Sequence, residues 1–514
     1  MNRLYVIRTA LIVALGGFLM GFDASVISGV VGFIETEFSL SKTQLGFSVA
    51  SLTLTATLAM MVSGPLSDRF GRRRILFFAA VLYAISAIAS ALAPSFTVLV
   101  IARMIGGFGV GASLIIAPLY IAEIAPPEVR GQMVSFNQLN IVTGITVAFF
   151  TNYLILQLAD TSAVIAGNEW RWMLGLETMP AVLYFVGLFF VPRSPRWLLM
   201  QGRRDEALPI MQMAVGSVAA VQELDEIQKS MAKDDEREKG SIRDLLAPSL
   251  RFVLTIGIVI GVLQQATGIN SVFFYAPTIF EQSGIGTDAS FVQAIFVGLI
   301  NLVFTLLAIA LIDKLGRKPL LIGGLIGITA AMMILAFGFG QATYTLPAEA
   351  SAVVGTEQAD GLAPLIGETF DSDVAFKTAL QAAIGTEAAT EFEAPLITAA
   401  IAMNPTLILI GILGFVASFA VSLGPVMWVL FSELFPNRIR GIAISFVGLI
   451  NSAVSFLVQQ IFPWELATLG SSLTFLIYGV FAALGLVFVI FVVPETKGKS
   501  LEELEAELVR TPAA

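Results

Sequence analysis

The sequence predicts an all-α membrane protein with twelve transmembrane helices, arranged as two pseudo-symmetric six-helix halves joined by a cytoplasmic helical linker. Three observations predict this fold class. Of the 514 residues, 56% are hydrophobic and only 13% are charged, whereas a soluble protein carries about 25% charged residues. Apolar segments long enough to cross a bilayer recur along the whole chain. Polar motifs at the ends of these segments repeat between the two halves.

Each predicted helix is an apolar segment that reaches the roughly 20 residues needed to span a bilayer. The first segment is too long for a signal peptide and has no small-residue cleavage site, so we interpret it as the first membrane helix. The segments are 6–34, 45–67, 74–94, 96–122, 129–157, 170–192, 251–281, 290–312, 318–342, 404–432, 439–462 and 470–493.

The distribution of basic residues predicts the orientation. Twelve crossings place both termini on one side of the membrane, and short cytoplasmic loops carry an excess of lysine and arginine. Basic residues cluster on the side of the termini, at 69–74, 193–251 and 314–318, and only Lys42, Arg171 and Lys377 lie opposite. We therefore expect a multi-pass protein of the plasma (bacterial inner) membrane with both termini cytoplasmic.

The same segments predict the domain organisation. Residues 1–192 form the first half, 193–250 the linker, 251–493 the second half and 494–514 a cytoplasmic tail. Within the second half, an acidic insertion at about 343–403 lies on the outer surface, with one or two short helices near 374–402. Because long surface insertions cost little closure entropy, we expect this one to be dispensable for the function of the protein.

Charged motifs follow the second and fourth helix of each half. Asp68 with Arg69 and Arg72 returns as Asp313 with Arg317, and Glu123 with Arg130 returns as Glu433 with Arg440. Partly dehydrated ion pairs at these helix ends would form a conformational latch that opens as the halves move. The alternative is that the residues only set topology. The candidate latch residues are Asp68, Arg69, Arg72, Glu123, Arg130, Asp313, Arg317, Glu433 and Arg440.

Three charges lie inside predicted helices. At 1.5 Å per residue, Asp23 lies about 16 Å and Arg103 and Glu177 about 12 Å from the outer ends of helices 1, 4 and 6. Charged groups at such depth are costly, and they mark ion or proton pathways. The alternative is a structural polar group packed between helices. The chain contains no histidine, so a proton relay would have to use carboxylates.

Taken together, the loop motifs resemble the sugar porter family of the major facilitator superfamily. They are G-x-x-x-D-R-x-G-R-R at 64–73, its repeat at 313–318, two E-x6-R-G motifs and P-E-T-K-G at 494–498. Within the family, Asp23, QQATGIN at 264–270 and GPVMW at 424–428 are most similar to the bacterial proton–xylose symporters. The resemblance implies proton coupling by Asp23 and Arg103, with Glu177 beside them. One motif departs, because Arg193 replaces the glutamate of P-E-S-P-R, and this puts one cytoplasmic salt bridge in doubt.

Amide side chains are the candidate sugar ligands, since sugars need several amide hydrogen-bond partners and an aromatic face in a concave site. Gln264 and Gln265 are adjacent and are expected to point in different directions, with Asn270 nearer Gln265 or the front of the helix. Isolated glutamines more often join helices, but several together favour a ligand site. The resemblance adds further positions, so the full candidate set is Gln138, Gln264, Gln265, Asn270, Asn301, Trp428 and Asn451.

The resemblance also concerns specificity. Where the xylose symporters have an aromatic residue, a glutamine, a tyrosine and a tryptophan, this chain has Met20, Ile145, Phe274 and Ser452. The serine enlarges the cavity, so a hexose fits better than a pentose.

The predicted function is import of a monosaccharide with protons by alternating access. A facilitative uniporter and a non-transporting sugar sensor are the alternatives. The sequence has no catalytic triad, metal-ligand cluster or phosphate loop, so we expect no enzyme, no cofactor and no metal. The expected partners are a small sugar, the proton and the lipid bilayer, with no nucleic acid and a monomeric carrier.

Overall fold

The computed structural model describes residues 3–126, 129–236, 242–352, 354, 356–436, 439–499 and 501–508. Within them, twelve helical spans are long and apolar enough to cross a membrane, and each coincides with a predicted segment. We number them spans 1–12: Leu4–Gly29, Lys42–Phe70, Arg72–Ala91, Phe96–Ile124, Arg130–Ala159, Glu169–Phe190, Pro248–Phe274, Thr287–Leu315, Arg317–Gly340, Pro405–Leu434, Arg440–Thr468 and Gly470–Phe491.

Eight spans are single helices with these bounds, and four are interrupted. Span 1 comprises a helix and a 3-10 turn and leads into a further short helix, whereas spans 6, 7 and 10 each contain two helices. Span 1 consists of Arg3–Val26 and the 3-10 turn Ile27–Gly29 and is followed by Val31–Glu37, and span 10 consists of Pro405–Val421 and Leu423–Leu434. Span 6 consists of Glu169–Gly175, Thr178–Gly187 and the 3-10 turn Leu188–Phe190. Span 7 consists of the 3-10 turn Pro248–Leu250, Arg251–Ala266 and Ile269–Phe274 and is followed by Ala276–Glu281.

Proline and glycine cause three of these interruptions. Pro180 and Pro425 have no amide hydrogen to donate to the carbonyls four residues earlier, at Leu176 and Val421. The helices of spans 6 and 10 end at Gly175 and Val421, so each span is interrupted shortly before its proline. In span 7, Gly268 adopts φ +85° beside the ring of Tyr478, which leaves no room for a side chain. Interrupted helices are a common feature of transporter binding sites.

The even number of spans places both chain ends at one end of the bundle, which we call the terminal face. The opposite end carries residues 343–403 and is called the insertion face. Across the two halves, span 2 packs on span 11 and span 5 on span 8. Near the insertion face, Gln460 Nε2 donates to the carbonyl of Thr43 over 2.8 Å and Gln157 Nε2 to Asp288 Oδ1 over 3.3 Å. The two halves are therefore joined at the insertion face.

The linker forms short amphipathic helices, as predicted. Trp197, Leu198, Met211 and Leu224 build a small apolar core between them. Residues 237–241 of the linker and 509–514 of the tail lie outside the described residues. The helices are Pro195–Met200, Arg204–Val215, Ser217–Glu236 and Ile242–Leu245, and the tail contributes Leu501–Leu508, which packs on span 10.

The insertion is a folded unit with its own apolar core, formed by residues such as Tyr344, Phe376 and Leu396. It contains a three-stranded antiparallel sheet in the order β2-β1-β3, with β1 Thr343–Thr345, β2 Thr369–Phe370 and β3 Ile401–Ala402. Its helices are Thr356–Leu362, Asp373–Ile384, Thr386–Glu391 and Glu393–Ala400, with 3-10 turns at Ala348–Ala352 and Ala363–Leu365.

The prediction for the insertion was wrong in two respects. Three helices, rather than one or two, occupy 373–400, because Gly385 and Phe392 interrupt the helical pattern there. The sheet was not predicted at all. Its strands are two or three residues long, which is too short for an alternating pattern to be recognised.

Candidate functional site

A buried ion pair lies within the first half, where span 1 meets span 4. Arg103 Nη1 lies 3.4 Å from Asp23 Oδ1, and Arg103 Nε donates to the carbonyl of Ser48 on span 2 over 3.1 Å. Both side chains are about 2% exposed. Asp23 and Arg103, which were predicted to lie at a similar level, are thus buried and contact each other directly.

Glu177 lies at the interruption of span 6 and is 2% exposed. The charges of Asp23 and Arg103 act on it, but within the described residues Arg103 forms its ion pair with Asp23 and not with Glu177. Three buried atoms of this group have no hydrogen-bond partner within the described residues: Asp23 Oδ2, Arg103 Nη2 and Glu177 Oε1. An unpaired carboxyl oxygen is the atom at which a proton can be bound.

Small and hydroxyl-bearing residues surround this group. A side chain at Gly106 would lie 3.0 Å from Asp23 Oδ2 and 2.5 Å from the hydroxyl of Ser86, so a glycine is required there. Gly16 similarly makes room for the hydroxyl of Tyr184. Neither Ser86 nor Tyr184 was predicted from the sequence to belong to this site. Their polar positions within spans 3 and 6 were the available signal.

The amides of spans 7 and 11 form a hydrogen-bonded network. Asn451 Nδ2 donates to Gln264 Oε1 over 2.8 Å, and Gln265 Nε2 donates to Gln264 Oε1 over 3.2 Å and to Asn451 Oδ1 over 3.3 Å. Asn270 Nδ2 donates to Gln265 Oε1 over 2.8 Å, as predicted. The adjacent glutamines were expected to point apart, but their side chains converge because Asn451 lies between them.

The network continues to residues that the sequence analysis missed. Asn270 also donates to Ser455 Oγ over 2.6 Å, Gln459 donates to the same oxygen over 2.8 Å, and Thr53 of span 2 donates to Gln459 Oε1 over 3.0 Å. Ser455 and Gln459 follow Asn451 at intervals of four residues, which places all three on one helix face. Through Thr53, the network reaches the first half.

Three candidate ligands lie outside this network. Gln138 on span 5 is exposed, and Asn301 on span 8 is 6% exposed. Trp428 follows the interruption of span 10, is 47% exposed and approaches Gly448 of span 11. The amide network supplies the donors and acceptors that a sugar requires, and the half-exposed indole of Trp428 offers an aromatic face.

The two halves carry matching ion clusters at the terminal face. Arg72 lies 2.7 Å from Asp68 and 2.9 Å from Glu123, and Ser194 donates to Glu123 over 2.5 Å. In the second half, Arg317 lies 3.2 Å from Asp313 and 2.7 Å from Glu433, and Thr496 donates to Glu433 over 2.6 Å. Each cluster joins three consecutive spans of one half.

Part of the predicted pairing was wrong. Among the residues that the structure describes, neither Arg130 nor Arg440 forms an ion pair with Glu123 or Glu433. Their Nε atoms donate to the carbonyls of Ala125 and Phe435, over 3.4 Å and 3.1 Å, because each arginine begins a span and reaches back to the end of the preceding one. Arg69 lies over the ring of Phe70, at 5.2 Å.

The clusters differ at one position. Glu495 accepts hydrogen bonds from the backbone amides of Arg317 and Lys318, both over 3.1 Å, at the start of span 9. Arg193 stands at the matching position of the first half, one residue before Ser194, just as Glu495 precedes Thr496. It lines a cavity of about 200 Å³ together with Arg73 and Arg74, at the start of span 3. At this position, the start of span 3 therefore has an arginine where the start of span 9 has a carboxylate.

Comparison with known proteins now assigns the family. The sequence model of the sugar (and other) transporter family matches residues 9–356 and 381–508. The chain belongs to the sugar porter family of the major facilitator superfamily. This sugar porter is 36% identical to the arabinose-proton symporter of Bacillus subtilis, over 98% of this chain and 94% of that protein. These relatives are transport proteins and not enzymes.

Two solved structures of a relative resemble the carrier. The inward-open xylose transporter XylE from Escherichia coli superposes with a TM-score of 0.75, 33% identity, and coverage of 98% of this chain and 100% of that chain. The proton:xylose symporter XylE bound to 6-bromo-6-deoxy-D-glucose superposes with a TM-score of 0.70, at 35% identity and over 99% and 100% of the two chains. The family model leaves residues 357–380 of the insertion unmatched.

No group of three or more acidic side chains that could hold a metal ion occurs in the part of the chain that the structure describes.

The missing carboxylate at the start of span 3 leads to a stability prediction. Arg193→Glu should accept hydrogen bonds from the first amides of span 3, as Glu495 does for span 9. Such caps contribute about 1 kcal/mol, so we expect the unfolding temperature of the detergent-solubilised carrier to rise by about 1–2 °C. The exposed substitution Lys229→Glu makes the same charge change without the cap and should leave the temperature unchanged. A lower unfolding temperature for Arg193→Glu would contradict this interpretation.

Proposed function

We propose that the carrier imports a monosaccharide together with protons by alternating access across the bacterial inner membrane. The observation that carries the proposal is the buried pair of Asp23 and Arg103, with an unpaired oxygen on the carboxylate. A facilitative uniporter needs no titratable group at this depth. The names of the arabinose and xylose relatives, both described as proton symporters, support the same reaction.

The proposed orientation places the terminal face in the cytoplasm. Basic residues concentrate on that face, as the positive-inside rule requires. The halves are joined at the insertion face, and the chain superposes better on the inward-open relative than on the ligand-bound one. Both observations support a state that is closed outside and open toward the cytoplasm.

Asp23 would couple the proton to this opening and closing. The Arg103 guanidinium, 3.4 Å away, stabilises the ionised carboxylate through its opposite charge. When Arg103 turns toward Glu177, Asp23 loses that charge and takes up a proton. The neutral acid costs less to bury, so the carrier can reorient with sugar bound. Sugar then shifts the equilibrium through its different affinities for the two states.

The amide network would bind the sugar. Gln264, Gln265 and Asn270 bond to one another and to span 11 in this state, and sugar hydroxyls would replace some of these contacts. Trp428 would contribute the aromatic face, with Gln138, Asn301 and Asn451 as further ligands. Because Asn270 connects through Ser455 and Gln459 to Thr53, a change at the sugar site is transmitted to the contact between the halves.

The ion clusters at the terminal face would hold the helix ends of each half together as the halves move. Their pairs lie within one half, so each half would rotate as a unit. Arg72 and Arg317 are the centres of the two clusters, whereas Arg130 and Arg440 stabilise the ends of spans 4 and 10.

Substitution of Asp23 tests the coupling between proton and sugar transport. Asp23→Asn mimics the protonated acid, so uphill accumulation should be lost while exchange of sugar across the membrane survives. Labelled-sugar uptake into proteoliposomes with an imposed proton gradient, and exchange without one, measure the two activities. Glu465→Gln is the control, because this acid is also buried, at 8% exposure, but bonds to Tyr478 outside the site. Accumulation by Asp23→Asn at the wild-type level would contradict the role of Asp23.

The next prediction concerns the identity of the transported sugar, which we propose to be a hexose. Ser452 lies next to Asn451 and leaves space that a tryptophan, burying about 150–250 Å², would fill. Ser452→Trp should weaken uptake of the best hexose and spare or improve xylose. Gln265→Ala is the control and should weaken every sugar, because unpaired hydroxyls cost about 1–3 kcal/mol. Competition by xylose, glucose, galactose and inositol measures the effect, and wild-type preference for xylose over every hexose would contradict the proposal.

A further inference from the structure

The insertion makes a partly buried polar contact with the outer end of span 7. Glu393 Oε1 accepts a hydrogen bond from Gln282 Nε2 over 3.0 Å, and Lys377 Nζ lies 3.0 Å from the same oxygen. The side chains of Lys377 and Glu393 are 14% and 22% exposed. Gln282 follows the helix Ala276–Glu281 that extends span 7. Glu393 thus ties the insertion to the extension of the span whose inner helices carry the sugar-site amides.

The insertion also contacts the first half. The helix Val31–Glu37 packs against the insertion helix Thr386–Glu391. On the side of the first half, Lys42 at the start of span 2 forms an ion pair with Glu35 over 2.5 Å, and its charge also acts on Glu393. The insertion therefore meets the first half at this helix contact, with one ion pair on each side, Glu35–Lys42 and Glu393–Lys377.

The charge on Glu393 is strongly favoured. Burial by itself would raise the pKa of its carboxyl, but Lys377 and Lys42, together with the hydrogen bonds from Lys377 and Gln282, hold the pKa at about 2. Glu393 is therefore ionised at any physiological pH, and this link does not open through protonation of Glu393.

The insertion is also fixed to the second half at a different point. Asp373 Oδ2 accepts hydrogen bonds from the backbone amide and the hydroxyl of Ser471, both over 2.9 Å, at the start of span 12. With its own apolar core, the insertion is a rigid body anchored on span 12. Asp373 and Lys377 both lie within residues 357–380, which the family model leaves unmatched.

We propose that Glu393 is a positioning residue that holds the insertion face closed, by linking the outer end of span 7 to Lys42 and Glu35 of the first half. The proposal rests on alternating access in the proposed function, but it does not depend on protons. It replaces the expectation that the insertion is dispensable: opening the insertion face would have to separate Glu393 from the first half.

The experiment measures opening of the insertion face directly. Wild-type protein contains no cysteine, so Asp160→Cys at the end of span 5 and Thr468→Cys at the end of span 11 provide one spin-label pair across the halves. Neither position belongs to the ion pairs at the contact between the insertion and the first half. Electron–electron distance measurements in nanodiscs, with and without sugar, report the ratio of open to closed insertion face.

Glu393→Gln should raise the ratio of open to closed protein at least about threefold, because the attraction between Glu393 and Lys42 is lost from the closed state alone. Glu368→Gln removes an exposed acid of the same insertion, away from the helix that contacts the first half; it is the matched control and should behave as wild type. Glu393→Asp should restore part of the closed population. Lys42→Met removes the charge on the first half and leaves Lys377 and Glu393 paired, so it covers the case in which Glu393→Gln fails to fold.

An unchanged distance distribution in Lys42→Met, or in a folded Glu393→Gln, would overturn the proposal, even if uptake fell. The same shift in Glu368→Gln would also overturn it, since loss of any acid would then suffice. Uncoupled transport by the wild-type carrier would overturn the proposed symport but leave these distances as expected.

Discussion

The burial of Arg103 is the constraint on which the rest of the first half depends. A guanidinium that is about 2% exposed between apolar helices requires an acid and hydrogen-bond acceptors close to it. Asp23 and the carbonyl of Ser48 supply them, and glycines on spans 1 and 4 allow the helices to approach. The pair is loose, with one carboxyl oxygen unpaired. A pair of this kind can exchange partners, whereas a fully satisfied one would only stabilise the fold.

The pseudo-symmetry shows which features are common to both halves and which serve one of them. Arg72 and Arg317 organise equivalent clusters, so these contacts maintain helix ends in both halves. The buried ion pair belongs to the first half, and the amide network lies mainly in the second. Proton and sugar would thus bind to different halves, joined through Thr53 and Gln459. In this arrangement, coupling between proton and sugar binding would depend on how the two halves move relative to each other.

Features determined by local sequence could be predicted, and those determined by packing could not. Span positions follow from apolar length, and the common depth of Asp23 and Arg103 follows from helical rise. The partner of Glu123 is an arginine from another span, Arg72 rather than Arg130, and only the packing of the helices decides between them. The convergence of Gln264 and Gln265 on Asn451 is likewise a tertiary contact. The docking of Glu393 on Gln282 joins residues 111 positions apart.

The central claim is that sugar and proton movements are linked through one buried acid. The most direct measurement is the proton gradient at which sugar flux stops in proteoliposomes containing wild-type carrier, at zero membrane potential. With one acid and one proton per sugar, a tenfold sugar gradient should be balanced by an opposing proton gradient of about tenfold. Flux that stops only when the sugar concentrations are equal, whatever the proton gradient, would contradict the account.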